Sequence, residues 1–345
     1  MRRFLILLIL LGAIGAGAVV LANADWRRPG PLSHPGVVLI APKTGTHAIA
    51  SQLKASGVVA NALIYEGEIH LEGQASKVKS GEYAVPAHAS MAEVTAIMVA
   101  GKSIQHKITI AEGLTSDMAY KLVVANPVLV GDAGPEPTEG ALLPETYLFT
   151  RGTTRQEMLV RMEKAQTKYL DQQWASRADG LPFAAPGQAV ALASIVEKET
   201  ALPNERRHVA AVFLNRLKQG MKLQSDPTII YGITKGYPLG RPILESEIEA
   251  QTPYNTYAIQ GLPPTPICNP GKDALAAVLK PEESGDLYFV ANGKGGHVFA
   301  STEAEHVRNV EAWRAIERAR DPAALAKPVA EKSTKKVKHH GAGTR

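Results

Sequence analysis

The sequence predicts an α+β protein: an N-terminal membrane-spanning helix, a small mixed module, and a larger, mainly helical domain with one β-hairpin. Three observations lead there. An uncharged apolar run from Phe4 to Leu21 opens the chain. Short helical and strand-like segments alternate between Val37 and Ala111. From Thr154 onward helical periodicity dominates, interrupted by a Gly-rich turn between two apolar quartets.

The apolar run has about 18 residues, near the lower limit for a bilayer-crossing helix. Arg2 and Arg3 precede it, which places residues 1–3 in the cytoplasm by the positive-inside bias. The remainder then lies outside the inner membrane. Ala22-Asn23-Ala24 has the small-x-small pattern of a signal cleavage site, but the run exceeds the usual signal h-region. The reading adopted is a retained anchor over 4–21, and either reading exports the body. Residues 22–36, rich in Pro, Gly and Arg from Arg27 on, read as a linker.

The small module spans 37–111. Val37 to Ile40 is strand-like, and apolar spacing predicts helices near 47–55 and 60–72. Ser80 to Pro86 reads as a turn entering a strand. Ser90, with Glu93 at the third helical position, forms a capping box for a helix over 91–100, which Gly101 stops. Lys107 to Ala111 alternates as a strand. A connecting segment, 112–140, holds a helix at 116–125 and then a Pro/Gly-rich stretch.

The larger domain is expected over 141–320. Helices are predicted near 154–178, 187–200, 204–219, 246–250, 272–279 and 304–320. Tyr288 to Ala291 and His297 to Ala300 form the hairpin. A basic, disordered tail over 321–345 is expected to complete the chain, with six Lys or Arg from Lys327 onward against Glu331.

The net charge is +5, and the tail supplies much of it. A folded basic face with interleaved aromatics is missing from the sequence, so nucleic acid is not an expected partner. Cys268 is the only cysteine, so no intramolecular disulfide can form. No pair of histidines has the four-residue helical spacing of a metal site. Neither metal nor cofactor is expected.

The chemistry points to Ala189–Thr200. Its first two turns are apolar on every face, which predicts a buried helix that delivers Glu197 and Glu199 at its end. Desolvation and the negative end of the helix dipole both favour a protonated carboxyl there. A neutral acid at pH 7 is what glycoside cleavage needs. Two positions on a helix differ by about 200°, so the two glutamates cannot act together on one sugar. Glu197, nearer the apolar run, is the expected acid/base; the plainer alternative is two solvated residues at a helix end. Loops at 224–228, 252–257 and 261–267 are dense in Tyr, Asn, Thr and Pro, which suits saccharide as well as ordinary turns.

Six stretches in order make the pattern specific. They are Ala193 to Thr200, Phe213 to Leu217, Leu223 to Thr228, Tyr254 to Tyr257, Gly261 to Pro264, and Tyr288 to His297, preceded by Leu142 to Tyr147. Together they resemble the YceG-like family of endolytic murein transglycosylases over about 141–320. The resemblance implies a LysM-like small module and a lysozyme-like catalytic domain. It implies cleavage of the β-1,4 bond between N-acetylmuramic acid and N-acetylglucosamine in nascent peptidoglycan, leaving 1,6-anhydro ends and terminating strand growth. It carries the catalytic role to Glu197, with Gln224, Asp226, Tyr254 and Asn255 as candidate substrate contacts; Tyr254 could equally be a packing residue. Peptidoglycan synthases are the implied partners. The competing class is a non-catalytic peptidoglycan-binding scaffold.

Overall fold

The computed structural model describes residues 2–320; the expected tail over 321–345 lies outside the described residues. Helix and sheet are mixed, and every sheet is a two-stranded antiparallel pair. The described chain forms two compact units: Met1–Ala111 with Ser116–Gln166, and Glu112–Thr115 with Thr167 onward.

The first unit begins with α1, Arg2–Arg27; its Phe4–Arg27 stretch is long and apolar enough to cross a membrane, with a mean hydropathy of 2.9 over its most apolar 18 residues. The helix does not stop at Leu21, where the linker was expected. It runs through to Arg27, and Trp26 is 0% exposed in the core of the module that follows. That burial explains the extension, because a free linker would leave the indole in water.

Strands β1 (Gly36–Ile40) and β2 (Gly81–Val85) pair with Val38 opposite Tyr83. Helices α2 (Thr46–Ala55), α3 (Ala62–Leu71) and α4 (Met91–Ala100) complete the module. Asn61 caps α3 by accepting from Leu63 N at 2.9 Å. Ser90 and Glu93 close the expected capping box on α4, and Gly101 ends it at φ +71°. Ile40, Leu53, Tyr65, Ile69, Tyr83 and Met98 form the core with Trp26.

Strand β3 (His106–Thr109) pairs with β4 (Thr146–Phe149), and α5 (Ser116–Ala125) lies between them in sequence. The sequence reading has no strand at Thr146. Its pairing with β3 keeps residues 141–149 in the first unit, so the units divide within α6 (Arg155–Ala175), later than the change of character at Ala141.

The second unit is built on α7, Pro186–Glu199, with Pro186 at its start. Leu192, Ala193, Ile195 and Val196 are fully buried, as an all-apolar helix requires. Helices α8 (Arg206–Lys218) and α11 (Lys272–Leu279) pack on α7 through Phe213, Leu275 and Val278. Between them come α9 (Asp226–Thr234) and α10 (Glu245–Glu249). Hairpin strands β5 (Tyr288–Ala291) and β6 (His297–Ala300) and α12 (Glu303–Arg320) complete the unit. Residues 226–228, read from sequence as loop, are the first turn of α9; Pro227 suits that position because it needs no N–H there.

Candidate active site

Helix α7 ends in two carboxylates that the fold sends to opposite sides. Glu197 Oε2 accepts a hydrogen bond from Gly271 N at 2.9 Å, and Gly271 is the N-cap of α11. Glu197 therefore acts as a helix cap supplied from another helix. Burial raises its pKa; the bond from Gly271 opposes this, and the negative charge of Glu112 adds to it.

Glu199 lines a cavity of about 430 Å³ together with Arg216, Gln224, Asp226, Tyr257, Phe289 and His306. Its Oε1 accepts from Ser225 Oγ at 2.5 Å. Burial raises its pKa to about 7, against the Ser225 bond and with help from the charge of Asp226. The α7 C-terminus also presents its negative end to this carboxyl. At neutral pH both protonation states are populated, as a group that must give and then take a proton requires.

The chain around Glu199 is tightly specified. Ser225 N donates to Thr256 Oγ1 at 2.9 Å, and Thr228 and Thr256 hydroxyls lie 2.8 Å apart. Gln224 sits at φ +57°, a left-handed conformation that costs a non-glycine residue roughly 1–2 kcal/mol. Its side chain accepts from Arg216 Nη1 at 3.2 Å, and the same guanidinium donates to Leu287 O at 2.6 Å and Leu223 O at 2.9 Å. Arg216 thus clamps the 222–224 turn to the hairpin strand, with burial lowering its pKa. Tyr257 donates its hydroxyl to Asp226 Oδ1 at 2.7 Å, and burial raises the phenol's pKa. His306 stacks on Tyr288 at 5.0 Å, and its buried Nδ1 has no hydrogen-bond partner among the described residues. Burial, then the charge of Arg216, lowers the His306 pKa and favours the neutral ring. Glu205 holds the hairpin in place by accepting from His297 N at 3.0 Å and facing His297 Nδ1 at 2.8 Å.

Of the sequence-derived site residues, Gln224 and Asp226 stand on the cavity wall with Glu199. Glu197 does not line it; half a turn separates the two glutamates, and Glu197 is spent on α11. Tyr254 and Asn255 are also placed elsewhere. Tyr254 packs its ring against Tyr231 at 4.9 Å and pairs with the Thr265 hydroxyl at 2.8 Å. Asn255 is 1% exposed, and its Nδ2 donates to three carbonyls, of Glu247, Ile248 and Ala250. That amide organises the loop after α10 and has no donor left for a ligand. Arg216, Tyr257 and His306 were missed as site residues. The first two stand inside the matched stretches, but nothing local in sequence marks them as cavity-facing.

The YceG-like family model matches residues 38–312, and the chain belongs to that family. An endolytic murein transglycosylase of Bacillus subtilis (strain 168) is 34% identical over 177 residues, covering 51% of this chain and 48% of that protein. One of Streptococcus pneumoniae serotype 2 (strain D39 / NCTC 7466) is 35% identical over 179 residues, covering 50% of this chain and 31% of the relative. The chain thus spans half or less of the length of these relatives. A 2.6 Å crystal structure of a YceG-like protein of Listeria monocytogenes shares 28% identity and covers 80% of this chain and 99% of its own, with a TM-score of 0.48.

Proposed function

We propose that this chain is an endolytic murein transglycosylase whose acid/base is Glu199, the second glutamate of the helix-end pair, rather than Glu197. The observation that carries this reading is the Glu199 carboxyl, pKa about 7, on the wall of a cavity that also presents Gln224, Asp226 and Tyr257. The names of the Bacillus and Streptococcus relatives support the substrate class.

The chemistry follows from one carboxyl. Protonated Glu199 gives its proton to the glycosidic oxygen as the bond from C1 of N-acetylmuramic acid breaks. The C6 hydroxyl of the same sugar attacks C1, and the Glu199 carboxylate takes the hydroxyl proton. The products are a 1,6-anhydro end and a free 4-hydroxyl; no water is consumed and Glu199 returns to its acid form. Tethered attack gains the effective molarity of an intramolecular nucleophile. Gln224 and the neutral His306 ring are placed to bond sugar hydroxyl or acetamido groups.

Asp226 supports a second reading. It faces the same cavity, and two carboxylates are the equipment of a hydrolase that activates water. It accepts the Tyr257 hydroxyl and stands in the first turn of α9, where it would serve as base or electrostatic stabiliser.

The wider setting belongs to the same proposal. Helix α1 anchors the protein in the inner membrane with its N-terminus cytoplasmic and its body periplasmic. The first unit carries a LysM-like module, the second a lysozyme-like fold, and peptidoglycan synthases are partners on nascent strands.

The test is product analysis by mass spectrometry after incubating the full chain with uncrosslinked glycan. Anhydromuropeptides are expected from the parent and from Glu197→Gln, and none from Glu199→Gln. Reducing ends that disappear in Asp226→Asn would instead establish the hydrolase. Loss in Glu197→Gln with retention in Glu199→Gln would return the role to Glu197.

A further inference from the structure

We propose that α3 lies on the bilayer surface at the C-terminal end of α1, with Leu63 and Leu71 inserted among the lipid acyl chains. The inference rests on α1 being a membrane anchor and goes beyond it, because an anchor on a slack tether would leave the module free in water.

The connection between α1 and α3 is not slack. Trp26 of α1 is 0% exposed, with its ring 5.6 Å from that of Tyr65 on α3. Its Nε1 donates to Glu72 Oε1 at 2.9 Å, one residue past the end of α3. This fixes the height of α3 along α1. Where the two helices meet, a groove of about 320 Å³ is lined by Ala18, Val19 and Ala22 of α1 and by Leu63, Gly67 and Leu71 of α3; Glu68 is its one charged lining residue and is buried.

That height coincides with the expected membrane boundary. The apolar run ends at Leu21 and the first acidic residue is Asp25. Eighteen residues from Phe4 to Leu21 rise roughly 27 Å, close to the ~30 Å hydrocarbon thickness. If α1 fills the hydrocarbon, Ala18 to Ala22 mark the boundary between acyl chains and headgroups, and α3 meets α1 there.

The face α3 turns outward suits that level. Leu63 is 77% exposed and Leu71 72% exposed, and with Gly67 they recur every fourth residue on one side of the helix. Single exposed leucines are ordinary in water. Here two share a face and continue the uncovered apolar surface of α1, which is how an interfacial helix meets lipid. At the flank, Glu66 is occupied by His47 at 2.9 Å, and His70 is exposed.

Nitroxide accessibility on the full chain in phosphatidylethanolamine/phosphatidylglycerol nanodiscs tests this. Cys268 is fully buried, so the parent chain should take no label and each introduced cysteine reports alone. Labels are placed by Leu63→Cys, Leu71→Cys, Ile9→Cys within α1, and Lys102→Cys as the aqueous control. Sites 63 and 71 are expected to show a several-fold higher ratio of oxygen to nickel-chelate collisions than site 102, approaching site 9. If site 9 is lipid-shielded but 63 and 71 match 102, the anchor stands and this inference fails. Low collision with both reagents at 63 and 71 would mean that a second copy or another protein covers the face, which also overturns it. Water-like behaviour at 9 and 63 together would remove the anchor itself.

Discussion

Glu197 and Glu199 leave the same turn of α7, and the two sides of that helix end teach different lessons. On one side the N–H of Gly271, the N-cap of α11, meets Glu197 at 2.9 Å, and the carboxylate completes a helix start. On the other side Glu199 has a single hydroxyl bond from Ser225 and faces open cavity, so burial prevails and the pKa reaches about 7. Both groups are raised by burial and each has one oxygen bonded; what separates them is that Glu199 lines the cavity and Glu197 does not. The α11 side builds the unit, and the cavity side is where the proposed proton transfer would take place.

Substitutions that remove one side and spare the other sharpen this contrast. The largest effect is expected from Glu199→Gln, a fall in turnover of roughly 10²–10⁴-fold, the usual worth of a positioned acid/base. Steady-state release of anhydromuropeptides reads it, with Glu197→Gln as the spared comparison. Turnover of the parent should also decline as pH rises through about 7, because the proposed first step needs the Glu199 proton.

The same group next makes a stability prediction. The folded Glu199 carboxyl holds its proton up to about pH 7, against 4.5 for an ordinary glutamate. Between those values the folded state binds more protons than the unfolded one, so stability falls as pH rises and the full loss is present above 7. Glu199→Gln removes that loss and should stabilise the protein by up to ~3 kcal/mol at pH 8, less at pH 5. Urea unfolding at the two pH values checks it; equal shifts at both would contradict the buried-acid account.

Glu197→Ala should cost about 1–2 kcal/mol, the worth of a lost cap, with turnover little changed. Thermal unfolding beside the product assay separates the two readouts. The smallest effect is expected from Tyr254→Phe, which deletes the bond to Thr265 and costs about 0.5–1.5 kcal/mol. Its KM should stay at the parent value, since the ring packs on Tyr231 away from the cavity.

Much of the scaffold was legible in the residues. The capping box at Ser90, the helix over Ser116–Ala125 and the hairpin over 288–300 follow from local signals that the fold left undisturbed. Strand β4 was not legible, because four residues starting at Thr146 become a strand only by pairing with β3, some forty positions earlier. Trp26 likewise reads as a membrane flank until Tyr65 and Glu72 are brought to it. At the site, periodicity set the two glutamates half a turn apart but could not say which side is hollow. That depends on Ser225, Arg216 and Gly271, placed by tertiary contacts. Asn255 misled for a related reason: an amide among tyrosines looks like a sugar ligand, yet three loop carbonyls use its donors.

The central claim is the proton affinity of one side chain. Carbon-13 NMR of glutamate carboxyls, with the Glu199 signal identified by its absence in Glu199→Gln, measures it directly. The account predicts a titration midpoint near 7 for that carboxyl. A midpoint at the ordinary glutamate value of 4.5 would contradict it.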